Sequence, residues 1–249
     1  MMQELKEVRK ICLRLANKAQ DGNLQSAFSS MEILWTLENK IMNDDDIIIL
    51  SKGQSTLALY AILIQKGVYL EEEFDMIGQY GSKYSIQVDM TKHIKGTYNS
   101  AGALGHGLPF ACGIAMAKKI KKENGRIFVL TGDGEFNEGT MWESCLIAKR
   151  FKLDNLWIIV DNNLSHTMGD FEEKFTAFGL LSGTISEGNA PMVCANIIND
   201  VPYNSRAKAL IVRTQRGYGC PSMMNGPKWF HRAPNNEELP LLSKEIDEQ

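Results

Sequence analysis

The 249-residue sequence has no apolar run near the roughly 20 residues that a membrane-spanning helix needs. Its N-terminus, MMQELKEVRKICLRLANKAQ, carries charge every few positions and lacks the apolar stretch of a secretory leader. No basic block occurs and the net charge is −3, which argues against a nucleic-acid binder. The five cysteines (Cys12, Cys112, Cys145, Cys194 and Cys220) are odd in number and form no CxxC pair. That spacing argues against both a disulfide framework and a zinc cluster, and makes a reducing cytoplasm the natural home. Internal repeats, low-complexity segments and domain linkers are also missing. The expectation is therefore one domain over residues 1–249, with 213–249, rich in Gly, Pro and Asn, as a loop-rich extension wrapping the surface. With 44% hydrophobic and 23% charged residues, the chain has the composition of a globular protein with a substantial core.

Hydrophobic periodicity then places the elements. Leu5, Val8, Ile11, Cys12 and Leu15 form one stripe of a helix over Glu4 to Ala19. A second helix is expected from Ser29 to Asn39, capped by Ser29 or Ser30, with Met31, Leu34 and Trp35 facing inward. Further helices are expected at Thr56–Lys66, Leu108–Ile120 and Glu138–Phe151. The short continuous apolar run at 47–50 reads as a strand buried on both faces, and 126–130, 156–160 and 209–212 also read as strands. Residues 78–107 carry no pattern, and a loop that long inside a domain is commonly functional. The stretch 181–204 is placed only loosely. Strands alternating with helices predict a three-layer α/β/α fold around a mostly parallel sheet.

Two motifs carry chemistry. Ile127 to Leu130 runs through Thr131 into Gly132-Asp133-Gly134-Glu135, and Leu156 to Val160 runs into Asp161-Asn162-Asn163. Either motif alone reads as a tight turn or a helix cap. Together they mean more, because thirty positions, one βαβ unit, separate Asp133 from Asn163. Parallel strands point their carboxyl ends the same way, and open α/β sheets bind ligands at that edge. A carboxylate and an amide oxygen there are hard ligands suited to magnesium. Gly132 and Gly134, lacking Cβ, let the backbone approach a phosphate, and the helix that follows offers amides to a diphosphate.

The segment GDGEFNEGTMWESCLIAKRFKLDNLWIIVDNN resembles the thiamine-diphosphate fingerprint, and more specifically the transketolase family. SKGQSTLALYAIL, NSAGALGHGLPFACGIAMA and RGYGC…KWFHRAP are similar to transketolase segments in the same order, so the resemblance runs from about Ala19 to Pro234. It implies thiamine diphosphate and Mg as cofactors and transfer of a two-carbon ketol unit from a ketose to an aldose. Asp133 and Asn163 match the metal's side-chain ligands, and Ser165 the residue that supplies a main-chain carbonyl. Gly132 would donate its amide to a phosphate, with Gly134 beside it, and Gly102 and Leu104 match positions along the cofactor. Glu138 and Glu143 match glutamates of a carboxylate network linking paired active sites; otherwise they read as a solvated first helix turn. His231 matches a histidine near cofactor and substrate.

The departures are equally informative. Family histidines are replaced by Asn23 in Asp21-Gly22-Asn23 and by Gln54 in Ser51-Lys52-Gly53-Gln54. A third, in Gly-His-Pro, falls on Gln87-Val88-Asp89, with Lys92-His93 nearby as a conceivable substitute. Amides hydrogen-bond but do not shuttle protons near neutral pH. The cofactor cradle is intact and the sugar pocket is rebuilt, which implies an atypical sugar. The family's pyrimidine-binding domain has no room in this chain, so the resemblance implies the first half of a split transketolase. Its partner would be a C-terminal subunit carrying that domain, assembled as a heterotetramer. Two other readings remain open. One is a 2-oxo acid decarboxylase/carboligase subunit on the same cofactor. The other is a non-catalytic degenerate module, against which the retained Asp133 and Asn163 stand.

Overall fold

The structure is a computed structural model describing residues 1–165, 169–202, 205–225 and 228–249. Five parallel strands form one sheet in the order β1-β2-β3-β5-β4: β1 (Ile47–Leu50), β2 (Ile127–Gly132), β3 (Leu156–Asn162), β4 (Leu181–Ile185) and β5 (Lys208–Arg213). Successive side chains of a strand point to opposite faces, so continuous apolar runs supply both cores at once. Phe128, Leu130, Trp157, Ile159, Leu210 and Val212 join one core. Ile127, Val129, Ile158, Val160, Ala209 and Ile211 join the other.

One face is covered by α1 (Met2–Ala19), α2 (Leu24–Ser29), α3 (Met31–Thr36), α4 (Thr56–Gln65) and, after the other elements, α8 (Pro191–Asp200). The opposite face is covered by α5 (Gly107–Lys121), α6 (Gly139–Arg150) and α7 (Phe171–Ala177). The α/β/α expectation holds, and the predicted α1 stripe is buried throughout. Three differences have physical causes. The expected Ser29–Asn39 helix divides: Ser30 stands at the N-cap position of α3 without a side-chain cap bond, its hydroxyl turned back to Ser26 O at 3.0 Å, and a π-helical turn, Leu37–Ile41, follows α3. Each of β2, β3 and β5 runs one to two residues past its predicted carboxyl end, because ladder pairing continues through polar residues such as Thr131, Gly132, Asp161 and Asn162. The C-terminal extension is not only loop. It holds α9 (Pro221–Met224) and α10 (Glu238–Asp247), and α10 buries Leu242 and Ile246. Lys6 and Lys10 of α1 reach Asp247 at 2.8 and 3.0 Å, fastening the two ends of the chain together.

Candidate active site at the carboxyl edge of the sheet

Gly132 and Asp161 are register partners on β2 and β3, so Asp133 and Asn163 leave neighbouring strands at the same edge. Asp133 is 3% exposed and its Oδ1 accepts the Gly134 N–H at 2.8 Å. The Asn163 amide is oriented from α2: its Nδ2 donates to Ser29 Oγ at 3.2 Å, which turns Oδ1 the other way. That oxygen accepts the Ser165 N–H at 3.1 Å and the Ser165 hydroxyl. A cation bound by Asn163 Oδ1 would displace the hydroxyl, and the amide would stay anchored through Ser29. No group of three or more His, Cys, Asp or Glu able to hold a metal occurs among the described residues. One carboxylate, one amide oxygen and a nearby main-chain carbonyl suit a magnesium ion that takes its remaining ligands from phosphate oxygens and water. The donor set therefore fits a magnesium diphosphate.

A short 3-10 turn, Asp133–Asn137, follows β2, and α6 begins only at Gly139. The amides next to the strand end thus belong to that turn rather than directly to a long helix, which corrects the sequence reading. Glu135, buried within the turn, ties three segments together. Its Oε1 accepts Ser51 Oγ at 2.6 Å and the Gly105 N–H at 3.2 Å, and its Oε2 accepts the Gly132 N–H at 3.0 Å. Burial pushes its carboxyl above the ordinary range, opposed by those donors and by the nearby Lys52 charge. The Gly132 amide, expected to meet a phosphate, is engaged with this carboxylate. Gly105 sits at φ +80°, where a Cβ would lie 2.6 Å from Glu138 Cβ. Glycine is required there because any side chain would meet both strain and a clash.

A buried ion pair lies beneath the cradle. Asp161, fully buried, pairs with the Lys52 ammonium and accepts Ser29 Oγ at 2.6 Å and the Thr214 hydroxyl. Lys52 also donates to Ser26 O at 2.9 Å and Ser29 Oγ at 3.0 Å. Ser29 thus touches Asp161, Lys52 and Asn163 and couples the ion pair to the candidate metal ligand. Sequence reasoning missed Glu135, Lys52, Asp161 and Ser29. The Gly132-x-x-Glu135 spacing, a capping-box interval, pointed to Glu135; nothing in the sequence pairs Lys52 with Asp161.

The other expected residues fall into three places. Asn23 caps α2, its side chain accepting the Ser26 N–H at 3.1 Å, and it bridges in parallel to Arg232, which brings His231 alongside. Gln54 lies in the turn after β1, joined to the end of α2 through Ser30 Oγ and Ser55 Oγ at 2.7 Å. The Gln87 side chain lies against Gly53 and Gly102. Gly102 and Leu104 precede α5, and Leu104 is exposed. Glu138 and Glu143 are exposed at the start of α6. His93 is exposed in a left-handed turn and bonds through its backbone to Met90 rather than to the cradle.

With this geometry in place, the comparisons are specific. The family model described as transketolase, thiamine diphosphate binding domain, matches residues 5–245. An apulose-4-phosphate transketolase subunit of Actinobacillus succinogenes is 32% identical over 260 residues, covering 97% of this chain and 93% of that protein. The 6-deoxy-6-sulfo-D-fructose transketolase subunit SqwG of a Clostridium species is 27% identical over 250 residues, covering 93% and 90%. The solved transketolase from Leishmania mexicana superposes with a TM-score of 0.86 at 19% identity, covering 99% of this chain and 41% of that one. That likeness shows the fold, and this chain spans about two fifths of the solved protein.

Proposed function

The chain belongs to the transketolase family, matching its thiamine-diphosphate-binding domain over residues 5–245, and from that premise we propose that it is the N-terminal subunit of a split transketolase. In this reading it transfers a two-carbon ketol unit from a ketose to an aldose, using thiamine diphosphate and Mg. The observation that carries the reading is the convergence of Asp133 and Asn163 at the carboxyl ends of two paired strands. The cofactor, when bound, supplies the chemistry of carbon–carbon cleavage and formation. This chain's residues hold and orient it: Asp133, Asn163 and the Ser165 carbonyl on the metal, Gly132 and Gly134 beside the diphosphate, Gly102 and Leu104 along its length.

Asn23, Gln54 and His231 line the substrate side. Two of the three are neutral amides, which recognise hydroxyls without exchanging protons. Relatives named for apulose 4-phosphate and for 6-deoxy-6-sulfo-D-fructose support an atypical sugar here. Their designation as subunits supports a partner carrying the pyrimidine-binding domain, in a heterotetramer. So does the outer face of α5 and α6, where Phe110, Leu146 and Ile147 are exposed and Glu143 shares the Leu146 and Ile147 side of α6. Glu138 and Glu143 would there link paired sites. The five cysteines are unpaired and buried, with Cys112, Cys145, Cys194 and Cys220 pushed up to about 12 by burial, which supports a reducing cytoplasm. No helix among the described residues is long and apolar enough to cross a membrane. The test is reconstitution in which a panel of ketose donors is offered to this chain together with a C-terminal transketolase-like partner. Ketol transfer that needs both chains, Mg and thiamine diphosphate is expected; decarboxylation of 2-oxo acids without ketol transfer would replace this reading with the carboligase one.

A further inference from the structure

A cavity of about 290 Å³ opens between α1, α10 and the turn 216–219. None of the cradle residues described above lines it. Leu5 of α1, Pro191 of α8, Tyr218 of the turn, Met224 of α9 and Ile246 of α10 give it apolar walls, while Arg9, Glu32 and Asn189 give it a polar floor. Its volume lies near the lower end of the ~300–1,000 Å³ of small-molecule sites, which combine apolar walls with a few placed polar groups.

The floor is an ion pair with bonding capacity left over. Arg9 and Glu32 are 5% and 1% exposed and pair with each other. Arg9 spends Nη2 on Glu32 Oε1 and Nε on Tyr218 O at 3.0 Å; its Nη1 makes no hydrogen bond among the described residues. From another residue, Glu32 Oε2 receives one long bond, from Asn189 Nδ2 at 3.4 Å. Burial pushes the Glu32 carboxyl up, opposed by the Arg9 charge. The pair is also held in place. The guanidinium lies 5.6 Å from the Tyr218 ring centroid, and a Cβ on Gly219, at φ +84°, would come within 2.3 Å of Arg9 Nε. Such a floor is formed before any ligand arrives, which lowers the cost of binding.

Charge selects the head group. The two floor charges cancel, so a charged head would add a third buried charge without a partner. A neutral carboxamide meets both needs: its carbonyl accepts from Arg9 Nη1 and its N–H donates to Glu32 Oε2. The Met224 thioether and the Tyr218 ring suit an aromatic body. We propose that this cavity binds a small molecule with an aromatic body and a neutral carboxamide head, independently of the thiamine-diphosphate reading.

The probes are indole-3-acetamide, indole-3-acetate and tryptamine, which carry a neutral, an anionic and a cationic head on one ring system. Each is titrated calorimetrically into the full chain, alone and assembled with a C-terminal transketolase-like subunit, and methyl NMR locates the bound probe. The amide is expected to bind both samples, to shift the methyls of Leu5, Met224 and Ile246, and to bind roughly tenfold or more tighter than the acid or the amine. In the double variant Arg9→Met with Glu32→Met, which strands no charge, that preference should disappear. Should the double variant not fold, Met224→Trp, which fills the cavity and leaves the pair intact, decides: loss of amide binding supports the proposal and unchanged binding overturns it. No amide binding, methyl shifts elsewhere, or equal affinity for the three probes overturns it. So does tighter binding of the acid, which would make the site an anion site served by Lys6 at the rim. Amide binding to the chain alone that the second subunit abolishes also overturns it, because the cavity would then be part of a protein interface.

Discussion

Replacing Lys52 by Met tests the idea that a buried ion pair holds up the cradle. Asp161 is fully buried and Lys52 nearly so, and their partners are Ser29, Ser26 O and Thr214. Methionine fills the aliphatic volume but leaves a buried carboxylate facing only two hydroxyls. Removing one partner of such a pair costs about 3–5 kcal/mol. For a domain of this size each kcal/mol shifts the melting temperature by roughly 2–4 °C, so a fall of roughly 6–20 °C is expected. Adding Asp161→Asn should recover a large part of that loss, because the amide carries no charge to strand. The assay is urea and thermal unfolding of the wild type, both single variants and the double variant. A loss below about 1 kcal/mol for Lys52→Met, or additive losses in the double variant, would refute the argument. Because Ser29 joins this pair to Asn163, Lys52→Met should also weaken thiamine diphosphate binding, while a remote core change of equal cost should not.

Other consequences are more local. Gly105→Ala should destabilise the chain by about 2–4 kcal/mol, combining left-handed backbone strain with overpacking against Glu138 and Thr140; chemical denaturation checks it, and a neutral result would mean that the loop relaxes freely. Leu242→Ala in α10 should cost about 2–5 kcal/mol, whereas a surface-wrapping tail would lose almost nothing. Hydrogen bonds from Arg232 hold the Glu238 carboxyl down to about 2, against an ordinary 4.5. A depressed carboxylate stabilises the fold above its ordinary value and loses that contribution as pH falls from 4.5 towards 2. Amide protection over 229–238, taken relative to the intrinsic exchange rate at each pH, should therefore fall in that window in the wild type, and Glu238→Gln should show the lowered protection already at neutral pH.

Four of the five strands were legible because they are apolar on both faces, and 47–50 matched to the residue; β4, with Ser182, Gly183 and Thr184 only half-buried or exposed, carried no such run and was not read as a strand. The polar ends of β2 and β3 were not, since hydrophobicity is blind to ladder pairs carried by Gly132 and Asp161. Helix α2 escaped because its six residues are all buried, polar ones included, and show no amphipathic period. Helix α10 was hidden behind a segment rich in Gly, Pro and Asn. At the site, Asp133 and Asn163 could be read because two strand ends and one βαβ spacing bring them together. The contacts of Glu135 with Ser51 and Gly105, and of Lys52 with Asp161, join segments far apart in sequence that only the folded chain aligns.

The central claim is tested most directly by calorimetric titration of thiamine diphosphate with Mg into this chain, alone and mixed with a transketolase-like subunit carrying the pyrimidine-binding domain. The account predicts tight, Mg-dependent binding in the mixture that Asp133→Ala abolishes while the fold survives. No binding in either sample, or binding untouched by Asp133→Ala, would contradict it.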